Sequence, residues 1–316
     1  MHKISVVVPV YNVEPYIKEC LESIVSSTLK DIEIIVVNDC SPANEDAIIQ
    51  KFAEKDKRIK YIKLDKDVGL GEARNIGFAL ATGEYFYCVD SDDYIDETLL
   101  EKAYNKAKRL NADMLFFPLT TIDCTTNENI PSVITDKRVL KFENESFTHF
   151  EVDSFFFDFY TGAQLRIYKK EFYKKYISYP KSVKHEDVVV SFVGWLKSDR
   201  IAFINEPLYY YRINRPGSIT YQSVANVKDI EIYLDGVIKL FKEQKLFSHY
   251  KYRLIPFLVQ AMKWYKLNHD LYLFVKRILK QEIGSYNEIK KMLSFKKEIR
   301  RILFCPFWLY KLTHKK

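Results

Sequence analysis

The chain has 316 residues, of which 47% are hydrophobic and 29% charged, so one large domain or two ordinary ones can each bury a real core. Only nine glycines beside 23 tyrosines and 22 phenylalanines exclude a disordered or low-complexity protein. The net charge of +7 is uneven: residues 221–316 hold 20 Lys and Arg against 8 Asp and Glu, the first 220 hold 29 against 34, and this leaves nucleic acid and anionic lipid both open as partners of the basic part.

"HKISVVVPVYN" is apolar for too short a run to be a signal peptide and predicts a buried first strand over 3–10. An amphipathic helix over 14–29 follows, then a strand over 32–38 and a helix over about 44–56. The pattern continues with a strand at 59–64, a helix over about 70–82, a strand at 84–89, a helix over about 97–110 and a strand at 113–118. Apolar strands alternating with helices predict an α/β fold, a mostly parallel sheet covered on both faces. Residues 121–160 are polar, then aromatic. "RIYKKEFY" (166–173) predicts a strand entering a helix, "HEDVVVSFVGWL" (185–196) opens another helix, and 200–213 gives two short strands. From about residue 224 the spacing is helical to the end, with breaks expected near Pro256, Asn268-His269-Asp270 and Gly284-Ser285. No internal repeat is present.

Parallel sheets of this kind bind ligands beyond the carboxyl ends of their strands. Three polar clusters fall there: Tyr11-Asn12, Asn38-Asp39-Cys40-Ser41 and Asp90-Ser91-Asp92-Asp93. In "CVDSDDYID" (88–96) the acids Asp90, Asp92, Asp93 and Asp96 are crowded together, and each raises the cost of ionising the others. A calcium loop of the EF-hand type fails, because Ile95 stands where the turn needs Gly. Asp92, Asp93 and Asp96 could cap the following helix. Capping does not need Asp90, so metal or phosphate chemistry is the favoured reading.

"GLGEARNIG" (69–77) is a weak dinucleotide motif and fits better as a tight turn into a helix whose N–H groups and Arg74 face an anion. His185-Glu186-Asp187 by itself is compatible with a plain helix start. Five scattered cysteines without CxxC spacing point to a reducing compartment and away from zinc.

Taken together, "VVVPVYN" (6–12), "IIVVNDCS" (34–41), "GLGEARNIGFALATGEYFYCVDSDD" (69–93), "HED" (185–187) and "YYYRINRPGSIT" (209–220) resemble the family 2 inverting glycosyltransferases of GT-A fold, and among them the bacterial enzymes of capsule, exopolysaccharide and lipopolysaccharide synthesis. The resemblance spans about two-thirds of the chain in the family's order. It implies a nucleotide-sugar site built from Pro9, Tyr11, Asn12, Asp39, Arg74, Asp90 and Ser91. Tyr11 would lie on the base and Asp39 would accept from the uracil ring N–H, UDP being the expected nucleotide. Asp90-Ser91-Asp92 resembles the DxD motif, in which Asp90 contacts ribose or sugar and Asp92 binds Mg²⁺ or Mn²⁺ across the diphosphate. Asp187 corresponds to the base that takes the proton of the acceptor hydroxyl. The chain departs from many relatives in placing Asn214 and Arg215 where they carry a His, which hands Arg215 a role in neutralising the diphosphate. The QxxRW signature and membrane spans of processive synthases are missing, which implies transfer of one sugar, hexosyl or N-acetylhexosaminyl, per encounter.

The expected layout is a catalytic domain over 1–220 (1–119 for the nucleotide sugar, 120–220 for the acceptor) followed by a basic helical module over 221–316. The end of that module, "FKKEIRRILFCPFWLYKLTHKK" (295–316), has a nine-residue apolar run, too short to span a bilayer. It suits equally an interfacial segment drawn to anionic lipid and a packing helix with a solvated basic face. A glycan or polyprenyl-linked acceptor at the inner face of the membrane would give the first reading a purpose, for a protein expected in the cytoplasm. Nucleic acid is not expected, since no recognised module appears. Two rivals stand beside this reading. One is a non-catalytic sugar-nucleotide or glycan-binding partner of a membrane synthesis complex, against which Asp92 and Asp187 speak; the other is a nucleotidyltransferase, whose Gly-rich phosphate loop is missing from "PVYNVEPY".

Overall fold

The computed structural model describes residues 2–153, 155–181, 183–216, 218, 227–264 and 269–282. The chain divides into two compact units, Met1–Gln222 and Ser223–Lys316. In the first, chain order runs β1 (Ile4–Val10), α1 (Glu14–Val25), β2 (Ile32–Asn38), α2 (Glu45–Lys55), β3 (Ile59–Lys63), α3 (Leu70–Ala79), β4 (Tyr85–Cys88), β5 (Tyr94–Ile95) and α4 (Leu99–Leu110). It continues with β6 (Met114–Phe116), β7 (Leu119–Asp123), β8 (Asn129–Pro131), α5 (Lys137–Leu140), β9 (Arg166–Lys169), α6 (Lys170–Tyr176), α7 (Glu186–Lys197), β10 (Ile201–Phe203) and β11 (Tyr209–Ile213).

Every residue of β1 and β2 is buried, as strands covered on both faces require. Ile4, Val6 and Val8 pack into one cluster with Ile17, Leu21 and Ile24 of α1 and with Leu99, Leu100 and Ala103 of α4. The alternate residues face α3. A Cβ on Gly77 would lie 2.4 Å from Val7 Cγ1 and 3.3 Å from Val37 Cγ2, so only glycine lets α3 lie this close to the sheet.

The large sheet has the order β10-β6-β9-β4-β1-β2-β3, parallel except for β9, which is antiparallel to β4 and β6. From β1 the chain adds β2 and β3 on one side and β4 on the other, so strand order switches beside the carboxyl ends of β1 and β4. A second sheet, β5-β11-β7-β8, escaped the sequence reading because two of its strands have only two or three residues. It ties the acidic segment after β4 to residues 209–215, since β5 pairs with β11 and Asp96 N donates to Leu208 O at 2.8 Å.

The second unit holds α8 (Val227–Glu243), α9 (Phe247–Trp264) and α10 (His269–Glu282), each packed on the other two. Ile230, Leu234, Val237 and Phe241 of α8 form a buried stripe at helical spacing. The break expected at Pro256 does not occur, and α9 runs through it. Proline costs a helix interior about 3 kcal/mol, and the burial of Tyr250 and Leu254 on the same helix offsets that cost. The stop instead falls after Glu243, where Lys245 turns left-handed at φ 58° and Leu246 N donates to Phe241 O at 2.8 Å. The sequence there carries no Gly or Pro to announce it. No helix among the described residues is long and apolar enough to cross a membrane. Residues 295–316 and Gly284-Ser285 lie outside the described residues.

Candidate active site

The four acids after β4 have four different fates. Asp96 alone serves the helix start, its Oδ1 accepting from Thr98 N at 2.8 Å and from Thr98 Oγ1 at 2.5 Å. Asp93 is fully buried and does not cap α4: it accepts from Tyr209 Oη at 2.7 Å and from Arg212 N at 2.8 Å, joining β11 to the acidic segment. Burial, with Asp92 and Asp90 nearby, pushes the Asp93 carboxyl well above the ordinary range. Asp92 Oδ2 accepts from Arg215 Nε at 2.5 Å, and Arg215 lies over the Tyr16 ring. Asp90 meets Arg74 at 2.8 Å, and its carboxyl is raised, chiefly by burial. Ser91 is buried between them.

Arg74, 2% exposed, is the hub. One end of its guanidinium pairs with Asp90, the other with Glu186, and Nε lies 3.3 Å from Cys88 Sγ. The two ion pairs keep it charged in spite of burial. Residues 179–181 and Glu186 are fastened to α3. Asn75 donates to Tyr179 O at 2.9 Å and accepts from Tyr179 N at 3.0 Å, and Lys181 pairs with Glu72 at 2.7 Å. A Cβ on Gly71 would lie 2.7 Å from Pro180 O and 3.2 Å from Glu186 Cγ. In this way α3 fixes the first turn of α7, and with it Asp187, against the end of β4.

Asp187 is partly buried, and no hydrogen bond reaches its carboxylate among the described residues. Burial first, and Glu186 second, push it from the usual carboxylate range to about 7. A carboxylate that exchanges its proton near neutrality is suited to general-base work. His185 begins the helix in the left-handed region at φ 60° without a side-chain cap, so the helix-start reading of "HED" is met by position and not by capping.

On the other side of the switch point, Asp39 is buried and its two oxygens accept from Val68 N at 2.8 Å and Gly69 N at 2.9 Å. The anion expected at the Gly69 turn is thus the chain's own carboxylate, and Gly69 at φ 84° is the residue that lets both amides face it. Asn12, left-handed at φ 54°, donates from its backbone N–H to Ser41 Oγ at 2.8 Å, linking the ends of β1 and β2. Tyr11 is 49% exposed, and Pro9 is buried in β1 opposite Val37.

These donors are hard oxygens of the kind Mg²⁺ and Mn²⁺ take. Asp92 Oδ1 has no hydrogen bond among the described residues and fits one coordination position. No three His, Cys, Asp or Glu side chains converge there or elsewhere among the described residues, so an ion would complete its shell with substrate oxygens and water.

Three residues of this constellation were not singled out from sequence: Glu186 as the partner of Arg74, Arg212, and Arg166. Arg212 donates to Asp92 O at 2.6 Å, pairs with Glu19 and lies over Tyr94. Arg166 is 1% exposed on β9. Nothing in the sequence sets it apart, since it opens a four-residue strand, RIYK, that a lysine closes.

Comparison with known proteins agrees with this geometry. The family model for Glycosyl transferase family 2 matches residues 5–172. The chain is 34% identical over 225 residues to Glycosyltransferase GlyA of Streptococcus pneumoniae, covering 69% of this chain and 31% of GlyA. It is 31% identical over 221 residues to an uncharacterized glycosyltransferase, EpsJ of Bacillus subtilis, covering 69% and 62%. The aligned part therefore spans less than two-thirds of either relative's length. In structure it superposes on Staphylococcus aureus TarS 1–349, solved in complex with UDP-GlcNAc, with TM-score 0.65 at 21% identity over 98% of this chain and 92% of that one. That likeness gives the GT-A fold, and with the family match over more than half its length the chain belongs to glycosyl transferase family 2.

Proposed function

We propose that the chain is an inverting glycosyltransferase, moving one hexosyl or N-acetylhexosaminyl unit from a UDP-sugar to a glycan or polyprenyl-linked acceptor in cell-surface polysaccharide synthesis. The observation that carries this reading is the Asp90–Arg74–Glu186 bridge, which joins the DxD end of β4 to the helix turn bearing a carboxylate tuned to about 7. Pro9, Tyr11, Asn12, Asp39 and Ser91 are assigned to the nucleotide. Asp39 has spare lone pairs for a uracil N–H beyond the two amides it already holds. Asp90 takes the ribose or sugar side, and Arg74, held between Asp90 and Glu186, belongs to the segment lining the nucleotide pocket.

Asp92 would hold Mg²⁺ or Mn²⁺, which supplies charge neutralisation to the departing diphosphate. Arg215, already on Asp92, adds a second positive charge in the same place. Asp187 accepts the proton of the acceptor hydroxyl as that oxygen attacks the anomeric carbon from the face opposite the diphosphate. Residues 1–220 are assigned the donor and acceptor sites, and the basic unit beyond them an anionic membrane surface on the cytoplasmic side.

The test is a panel of UDP- and GDP-sugars with Mn²⁺ or Mg²⁺, scored by thermal stabilisation and by slow donor hydrolysis. A UDP-sugar should raise the melting temperature and release UDP. If no sugar nucleotide does either, the reading is wrong.

A further inference from the structure

Each of the four acids after β4 is matched inside the chain. Asp90 has Arg74, Asp92 has Arg215, Asp93 has the Tyr209 hydroxyl and the Arg212 N–H, and Asp96 has Thr98. A dication at Asp92 therefore meets a carboxylate that already has a cation, and most of the negative charge it needs has to come from the substrate. Arg215 is firmly placed for this. Asn214, left-handed at φ 57°, donates from Nδ2 to Asp123 Oδ2 at 2.9 Å, which turns the chain at the end of β11 and delivers Arg215 to Asp92. The Arg215 side chain is buried, and its guanidinium lies 5.4 Å from the centroid of the Tyr16 ring, which carries Arg212 at 5.3 Å as well. Nη1 reaches Pro216 O only at 3.4 Å, and Nη2 has no hydrogen bond among the described residues, so that edge of the guanidinium is available to a phosphate oxygen.

We propose that Arg215 sets how far the donor site depends on a metal: it keeps Oδ2 of Asp92 for itself, leaves an ion Oδ1 alone, and gives the diphosphate a fixed positive charge that the ion would otherwise have to supply. The two cations are rivals for one carboxylate and partners on one diphosphate, so each makes the other count for less. This rests on the nucleotide-sugar reading and on Asp92 as the ligand of the ion, and the experiment separates those claims from the role of Arg215.

UDP affinity is measured by calorimetry in EDTA and again in Mn²⁺ for the wild type, Arg215→Gln, Arg215→Lys and Asp92→Asn, with the melting curve of each protein alone as the check that it is folded. The quantity read is the factor by which Mn²⁺ tightens UDP. Gln keeps a donor for the Asp92 carboxylate but drops the charge. Its UDP affinity in EDTA should fall about tenfold while its affinity in Mn²⁺ stays within about threefold of wild type, so the factor should rise well beyond threefold. Lys keeps the charge, and its factor should stay within about threefold of wild type. A factor in Arg215→Gln within about threefold of wild type overturns the proposal, and so does a rise in Arg215→Lys as large as in Gln. Should Gln fail to fold, Lys decides alone: a factor in place supports the proposal and one raised about tenfold ends it. If Asp92→Asn keeps the wild-type factor, the ion is not held by Asp92, and that assignment fails together with the rivalry built on it. If the wild type binds UDP in neither condition, it is the nucleotide-sugar reading that has failed. If Asp92→Asn loses the gain from Mn²⁺ while Arg215→Gln keeps the wild-type factor, only the role of Arg215 has failed.

Discussion

Two acids of the same unit sit at opposite ends of the large sheet and have been driven in opposite directions. At the amino end, Glu33 of β2 is 1% exposed and is met by Ser5 Oγ at 2.6 Å, Thr82 N at 2.6 Å, Thr82 Oγ1 at 2.7 Å, Gly83 N at 3.1 Å and Lys60 Nζ at 2.6 Å. Burial alone would raise it, but these donors outweigh burial and hold it at about 2. At the carboxyl end, Asp187 has no such donors, faces Glu186 and rises to about 7. Burial penalises both anions, and the number of N–H and O–H groups aimed at each decides the outcome. A buried acid with all its acceptors filled is a fastener, whereas one left short of donors in a crevice is available for proton transfer.

The largest effect that would break this contrast is on turnover. Asp187→Asn should lower transfer about 10²- to 10⁴-fold while leaving donor-induced thermal stabilisation in place, because the base acts on the acceptor and not on the nucleotide. Glu33→Gln should leave turnover within a few-fold of wild type. If Glu33→Gln abolishes transfer in a folded protein, the two ends of the sheet are not functionally distinct as described.

On stability the order reverses. Lowering Glu33 from 4.5 to about 2 corresponds to about 3 kcal/mol of native-state preference for the anion. That contribution is present above the unfolded value of 4.5 and is lost as pH falls through about 2. Glu33→Gln should therefore cost about 2–3 kcal/mol at pH 7 by chemical denaturation, and the deficit should shrink on going to pH 3. Asp187 has the opposite sign. Its native value lies above its unfolded one, so its contribution is present below 3.8 and is lost as pH rises through about 7. Asp187→Asn should raise the melting temperature at pH 8 by several degrees and change it little at pH 3.5, the trade of stability for activity that active sites make. Equal melting temperatures at pH 8 would mean that Asp187 is not held at a penalty.

What the sequence shows of this contrast follows from chain distance. β1, β2 and β4 are legible because buried strands announce themselves in consecutive residues, and "DSDD" falls where a switch-point site should be. The partners are not legible. Arg74 and Glu186 are 112 positions apart, Arg215 and Asp92 are 123 apart, and no local pattern predicts which acid a given arginine meets. Glu33 gives even less away, since a carboxylate inside "IEIIVVN" is indistinguishable from an edge residue until Ser5, Lys60 and Thr82 are brought to it. The two-stranded pairing of β5 with β11 is invisible for the same reason, and so is the left-handed stop at Lys245, where no glycine marks the turn.

The smallest expected effect probes how firmly α3 holds the turn that carries Asp187. Asn75 sits on α3 one residue from Arg74, and its side chain makes both hydrogen bonds that a strand partner would make to Tyr179. Asn75→Ala removes both and leaves the Tyr179 N–H and C=O to find water, at a cost of about 1–2 kcal/mol. The glycine contact at Gly71 and the Lys181–Glu72 pair remain, so α7 should keep its place on average but hold it less tightly. Transfer should fall about three- to tenfold in kcat, since positioning a base is sensitive to sub-ångström looseness, while donor stabilisation stays as in wild type. Hydrogen exchange at Tyr179 N should speed up, whereas exchange around Glu33 should not change. A kcat equal to wild type in Asn75→Ala would mean that the Arg74–Glu186 pair alone sets the position of Asp187, and that α3 contributes a single contact and not a row of them.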